Sequence, residues 1–359
     1  MAPLLLVHVR VIRVYLWPVF VCGPCCLWLF LLEWPAMRTV FLNEVGRLRS
    51  GWRVLLFAFA FFAIFFLIAT FLWIGYVIFA NAGGPAIPYG AVLADLAFRL
   101  NLLVAALGAG FICARLFEGL PWRSLGLTFH NGWLRDLLLG CVLGFATLAV
   151  AVGIATAAGG LRFSLGGSAL GMIRSLGGSA VLLFVAALAE EALFRGYPLQ
   201  TFTRARLALF ALLLTSVPFG MAHLSNPNAI PGATFANTAL AGIWLGVAYL
   251  RTRSLWFAQG LHFSWNWALG GLFGLPISGK NLISNPVLNG QDAGPAWLTG
   301  GNYGIEGGVA CTIALVIFTL FIWRTRLLSA TPELKKLTSE ENPVLPPPVV
   351  SIRPVDDAV

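Results

Sequence analysis

Residues 54–80 read Val54-Leu-Leu-Phe-Ala-Phe-Ala-Phe-Phe-Ala-Ile-Phe-Phe-Leu-Ile-Ala-Thr-Phe-Leu-Trp-Ile-Gly-Tyr-Val-Ile-Phe-Ala80, without one charged side chain. A hydrocarbon layer about 30 Å thick is crossed by about 20 helical residues, so this run is long enough to span a bilayer. Runs of the same character recur at 91–113, 137–158, 176–203, 207–223, 235–250, 255–270 and 308–323. They predict an all-α fold, a polytopic membrane helical bundle of about eight transmembrane helices filling residues 37–326. Composition agrees. Of 359 residues, 59% are apolar and only 10% charged, against about 25% charged in a soluble domain, and the mean hydropathy is +0.86. A water-soluble globular protein is excluded.

The net charge is +9, from 23 Lys and Arg against 14 Asp and Glu. No basic cluster exceeds Arg47, Arg49 and Arg53, so nucleic acid is not an expected partner; the bilayer is. With eight spans, one side collects Arg38, Arg47, Arg49, Arg53, Arg115, Arg123, Arg135, Arg204, Arg206, Arg251, Arg253, Arg324, Arg326, Lys335, Lys336 and Arg353. The other collects Arg162, Arg174 and Lys280. Cytoplasmic loops carry the excess of Lys and Arg, which puts both ends of the eight-span unit in the cytoplasm. Residues 327–359 end in a proline-rich run and read as a disordered cytoplasmic tail. Residues 1–36 fit three readings: a signal peptide, a ninth span, or translated sequence ahead of a natural start at Met37. Six scattered cysteines imply no disulfide framework, and Cys22-Gly-Pro-Cys25 lacks the strand and helix pattern of a thioredoxin pair. Gly140 with Gly144, and Gly242 with Gly246, are small-residue pairs whose default role is close helix packing.

Ionisable side chains at bilayer depth cost roughly 2.5–3.5 kcal/mol each on insertion scales, so each needs an explanation. Asp95 and Arg99 stand four apart on one helix face and read as a neutralising structural pair. The fourth run is different: Ala189-Glu190-Glu191-Ala192-Leu193-Phe194-Arg195-Gly196-Tyr197 puts two carboxylates and a guanidinium inside an apolar helix. Glu191 and Arg195 are an i,i+4 pair. Glu190 is turned about 100° away and needs a partner elsewhere. The nearby candidates are His223, at the end of Phe219-Gly-Met-Ala-His223, and His262, four residues before Asn266. At 1.5 Å per residue, Glu190 lies about 21 Å from Arg204, His223 about 24 Å from Leu207, and His262 about 12 Å from Ser254. The third is shallower, so only a tilted helix or a recessed wet cavity brings all three together.

Glu190-Glu191-x-x-x-Arg195, Phe219-x-x-x-His223 and His262-x-x-x-Asn266, in this order, resemble the three motifs of the CPBP family, the CAAX proteases and bacteriocin-processing enzymes also called Abi proteins. The match covers residues 176–270, and residues 38–53 look like the start of bacterial members. The resemblance implies an eight-helix intramembrane endopeptidase of a bacterial cytoplasmic membrane, with a site open to the cytoplasm and a membrane-associated or lipid-modified protein or peptide as substrate. Carried over by position, Glu190 and His223 activate a water, His262 and Asn266 stabilise the oxyanion, and Glu191 and Arg195 hold the first carboxylate in place. The chemistry suits these residues: a desolvated carboxylate serves as base and then acid, and amide and imidazole donors count most in a low-dielectric site.

Glu190, His223 and His262 are also a two-nitrogen, one-oxygen set for zinc, although the His-Glu-x-x-His pattern is absent. The sequence leaves metal and metal-free schemes open. Two other functions use the same residues: a proton-coupled transporter, and a non-catalytic bacteriocin-immunity or scaffold protein of the same fold.

Overall fold

A computed structural model of the chain describes residues 39–44, 46–84 and 90–338. Residues 1–36 and the proline-rich end beyond 338 lie outside the described residues, so their readings are untouched. The chain divides into two compact units, residues 1–52 with 343–359, and residues 53–342. In the first, described over 39–52, a turn is closed by the Arg47 amide donating to Asn43 Oδ1 at 2.9 Å, and Phe41 and Trp52 rest ring to ring at 5.0 Å.

The second unit is mostly helical. Helices α1 (Ser50–Asn81), α2 (Gly90–Glu118) and α3 (Trp133–Ala157) are followed by strand β1 (Leu161–Leu165) and α4 (Ala169–Glu191). A π-helical turn, Ala192–Gly196, carries α4 into α5 (Tyr197–Arg204); α6 (Ala208–Ala222), α7 (Pro231–Thr252) and α8 (Leu255–Trp267) follow. A second π-helical turn, Ala268–Leu272, closes α8. Then come β2 (Leu288–Asp292), the single-turn α9 (Ala296–Thr299), α10 (Val309–Arg324) and α11 (Pro332–Thr338).

Among the described residues, six helices are long and apolar enough to cross a membrane, counting Ala169–Arg204 as one. The expected runs at 255–270 and 308–323 form shorter helices, of 13 and 16 residues. The polar side chains of Gln259, His262 and Asn266 interrupt the first, and its π-helical turn ends the regular rise. Small residues let helices touch as the sequence suggested. A Cβ on Gly140 would collide with the Phe257 carbonyl oxygen, and one on Gly260 with that of Leu137, so α3 and α8 meet backbone to backbone. That contact holds α8, which bears His262 and Asn266, in one position.

Contacts define the two ends of the bundle. At one end, Glu118 meets Arg53 at 3.1 Å and Arg204 at 2.6 Å, the Leu255 amide donates to the Gly126 carbonyl at 3.0 Å, and Arg251 donates to the carbonyls of Thr325 and Leu328. The tail is therefore ordered further than expected: residues 332–338 form α11, capped by Thr331, with Leu334 fully buried. At the other end, β1 and β2 pair antiparallel with Leu161 opposite Asp292 and Leu165 opposite Leu288. This small sheet corrects the all-α expectation. The two strands are separated by more than 120 residues, and five-residue segments carry no signal of so distant a pairing.

Candidate active site

Consecutive residues on a helix point about 100° apart, and α4 uses this to send two carboxylates to different work. Glu191 turns inward and is fully buried. Its Oε1 accepts from Arg195 Nη1 at 3.0 Å and from His262 Nδ1 at 2.9 Å. Arg195 is equally buried, donates from Nη2 to the Gly242 carbonyl at 3.1 Å, and lies over the Phe219 ring at 4.5 Å. The desolvation of this guanidinium is thus offset by a carboxylate, a carbonyl and an aromatic face. Expected to hold Glu190, Glu191 instead accepts from His262, and Arg195 braces Glu191.

Glu190 faces a cavity of about 400 Å³. Its Oε1 is 3.4 Å from Arg99 Nη1 and its Oε2 is 3.8 Å from His262 Nε2. Oε2 is buried and makes no hydrogen bond. Glu118 Oε2 and Glu191 Oε2 share that condition, but of the three carboxylates only Glu190 lines the cavity, where its oxygen is within reach of a bound molecule. His223 stands one residue past α6 and lines the same cavity, its Nδ1 donating to the Phe219 carbonyl at 2.8 Å. His262 and Asn266, one turn apart on α8, line it too, and Phe219 packs between the imidazoles, 4.8 Å from the His223 ring and 6.0 Å from that of His262. Glu190, His223, His262 and Asn266 therefore surround one space, while Glu191 and Arg195 stand behind it. The mismatch in depth is resolved by a recessed cavity. The π-helical turns beside Glu191 and Asn266 are of the kind that recurs at functional sites.

Two lining residues escaped the sequence reading. Arg99 does pair with Asp95, at 3.3 Å through Nε, but its Nη1 reaches on to Glu190. The i,i+4 spacing showed the pair and hid the three-body contact. Glu306, outside every motif, accepts from Trp265 Nε1 at 2.9 Å and from the Ser278 amide and hydroxyl, pinning the 273–308 connection against α8.

The zinc set does not close. Among the described residues no three His, Cys, Asp or Glu side chains gather as a metal ion requires, although the bond from His262 Nδ1 to Glu191 leaves Nε2 turned toward Glu190. The lining residues that are themselves exposed are Phe98, Ala222 and Leu282.

A partly buried acid, two imidazoles and an amide thus line one cavity within a bundle of apolar helices, groups of the kinds that acid–base chemistry uses. Residues 173–268, which contain all three motifs, match the family model described as type II CAAX prenyl endopeptidase, Rce1-like. This stretch of the chain is a domain of that family, as the motif resemblance implied. No curated protein matches the chain.

Proposed function

We propose that the protein is an intramembrane endopeptidase that hydrolyses a peptide bond of a membrane-associated substrate with water activated by Glu190. The observation that carries this reading is the shared cavity: Glu190, His223, His262 and Asn266 line one space. Glu190 Oε2, which makes no hydrogen bond, takes a proton from water as its oxygen attacks the scissile carbonyl. The same carboxyl then gives that proton to the departing amine, so base and acid are one group. The His223 ring donates from Nδ1 to a backbone carbonyl, which leaves Nε2 as a lone pair for the second hydrogen of the water.

His262 works differently from the sequence expectation. With Nδ1–H on Glu191, its Nε2 donates to an oxyanion only when the ring carries both protons, with Glu191 and Glu190 the carboxylates facing its two nitrogens. Asn266 supplies an uncharged donor one turn away. The eight-span arrangement belongs to this reading as well. α8 with its π-helical turn, and α10, complete the set of crossings around the site, and the bundle 37–326 sits in a bacterial cytoplasmic membrane with both ends inside. Lipid modification of the substrate and the host's use of it go with the family likeness.

The test is cleavage of a membrane-spanning reporter peptide by purified protein in detergent or nanodiscs. Glu190→Gln and His262→Ala are expected to abolish it while leaving the unfolding midpoint of the Glu190→Gln protein near that of the wild type. Cleavage that persists in both variants removes the assignment.

A further inference from the structure

The bundle is asymmetric in charge, and the cavity belongs to one of its ends. Leaving out Arg38, Arg47, Arg49 and Arg353, which lie outside the 53–342 unit, twelve of the basic residues assigned to the Arg-rich side remain, against Arg162, Arg174 and Lys280 on the other. The contacts of Glu118 with Arg53 and Arg204, and of Arg251 with Thr325 and Leu328, gather the Arg-rich ends on one side of the fold. The positive-inside rule makes that side cytoplasmic. The opposite side is built from the β1–β2 pair, the 223–230 turn and the 273–308 connection, which Asn237 ties down by donating to the carbonyls of Glu306 and Gly308 at 2.9 Å.

The cavity draws its lining from this second side. Asn226 comes from the 223–230 turn, and Ser278, Lys280, Leu282 and Glu306 come from the 273–308 connection. Connections 119–132, 205–207, 253–254 and 325–331, at the Arg-rich end, contribute nothing to it. Between the site and that end lies a close-packed apolar cluster of Leu199, Phe202, Ala211, Leu255 and Trp256, each at most 8% exposed, with Tyr249 packed among them. Along the chain the first five separate Glu190 from Arg204, His223 from Leu207 and His262 from Ser254. A cytoplasmic substrate has no path through them without unpacking the core.

We propose that the substrate reaches Glu190 and His262 from the non-cytoplasmic side, as an extended apolar stretch of an exported or outer-leaflet-tethered polypeptide threaded beneath the 273–308 connection. This rests on the peptidase reading and names its substrate class. Phe98, Leu102, Leu193, Phe194 and Leu282 offer apolar side chains to such a stretch, and Lys280 places a fixed positive charge in the wall supplied by the connection. A tail carrying its lipid in the cytoplasmic leaflet meets the closed face instead.

The experiment uses the full chain in cells or sealed right-side-out vesicles, with a membrane-impermeant maleimide polymer as probe and the wild type as the blank for its own cysteines. Leu282→Cys is expected to gain the polymer's mass before permeabilisation, and Ser329→Cys, exposed at the Arg-rich end, only afterwards. A reporter peptide supplied outside the vesicles is expected to be cut, with cutting lost once Leu282→Cys carries the polymer. Labelling of Leu282→Cys only after permeabilisation overturns the proposal whatever the cleavage result. The peptidase reading fails separately, if the detergent-solubilised wild type cuts the reporter no faster than Glu190→Gln, and the substrate class falls with it.

Discussion

Two carboxylates that meet arginines from other helices are put to opposite uses. Glu118, at the Arg-rich end, is enclosed by its partners: Arg53 at 3.1 Å and Thr201 at 2.9 Å on one oxygen, Arg204 at 2.6 Å on the other, with side chains 1–2% exposed in the ion pairs. Glu190 shares Arg99 at 3.4 Å, leaves Oε2 without a hydrogen bond, and keeps 19% of its side chain exposed to a cavity. A buried charge in a membrane bundle is therefore not in itself a sign of chemistry. The sign is a charge whose partners do not use all of its valence, set beside space for another molecule.

This contrast is open to direct attack. Replacing Glu190 by Gln removes a base and costs little packing, so activity is expected to drop about 10²–10⁴-fold with the unfolding transition nearly unmoved, read by reporter cleavage and by thermal denaturation of the same preparation. Glu118→Gln is expected to do the reverse. It removes the negative charge that Arg53 and Arg204 share and lowers stability by about 3–5 kcal/mol, while the turnover per folded molecule stays at the wild-type value. Equal effects of the two variants on both readouts would erase the distinction.

Gly260→Ala tests whether the α3–α8 contact carries the site. The added methyl group meets the Leu137 carbonyl oxygen, an overpacking expected to cost about 1–3 kcal/mol and to lower cleavage as His262 shifts; unchanged unfolding and turnover would show that the helices separate freely. The smallest effect is expected from Arg99→Gln. Its ion pair is partly solvated, so stability should change by no more than about 1 kcal/mol, but cleavage should slow because Glu190 Oε1 loses the guanidinium 3.4 Å away that orients it. Cleavage at the wild-type rate would reduce Arg99 to a partner of Asp95.

Much of this arrangement was legible in the residues. The apolar runs located the helices within a few positions, and the 100° step between Glu190 and Glu191 separated a paired acid from one lacking an intrahelical partner. What the step could not supply was the identity of the partners. Glu191 meets His262 across 71 positions and Arg99 meets Glu190 across 91, distances over which periodicity says nothing. The Asp95–Arg99 spacing even misled, because it satisfied an i,i+4 rule and so closed the account of a guanidinium that still had donors to give. Glu306 was invisible for a related reason: it sits in a glycine-rich connection whose fold is set by tertiary contacts, with no helix or strand period to mark it. The same connection also decides which end of the bundle the cavity serves, a matter that motif spacing along three helices leaves unspecified.

The wider turn at Ala192–Gly196 joins the helices that carry the two charge clusters, and the backbone leaves helical geometry at Gly196 (ψ −118°) before α5 begins. An extra residue in a helical turn advances everything downstream by about 100°, so it sets the angular phase between Glu190 and Glu191 on one side and Thr201 and Arg204 on the other. Excising Ala192 would restore the ordinary winding and swing one set out of alignment with its partners. A single-codon deletion there would be felt at both charge clusters, although the residue lost carries no charge.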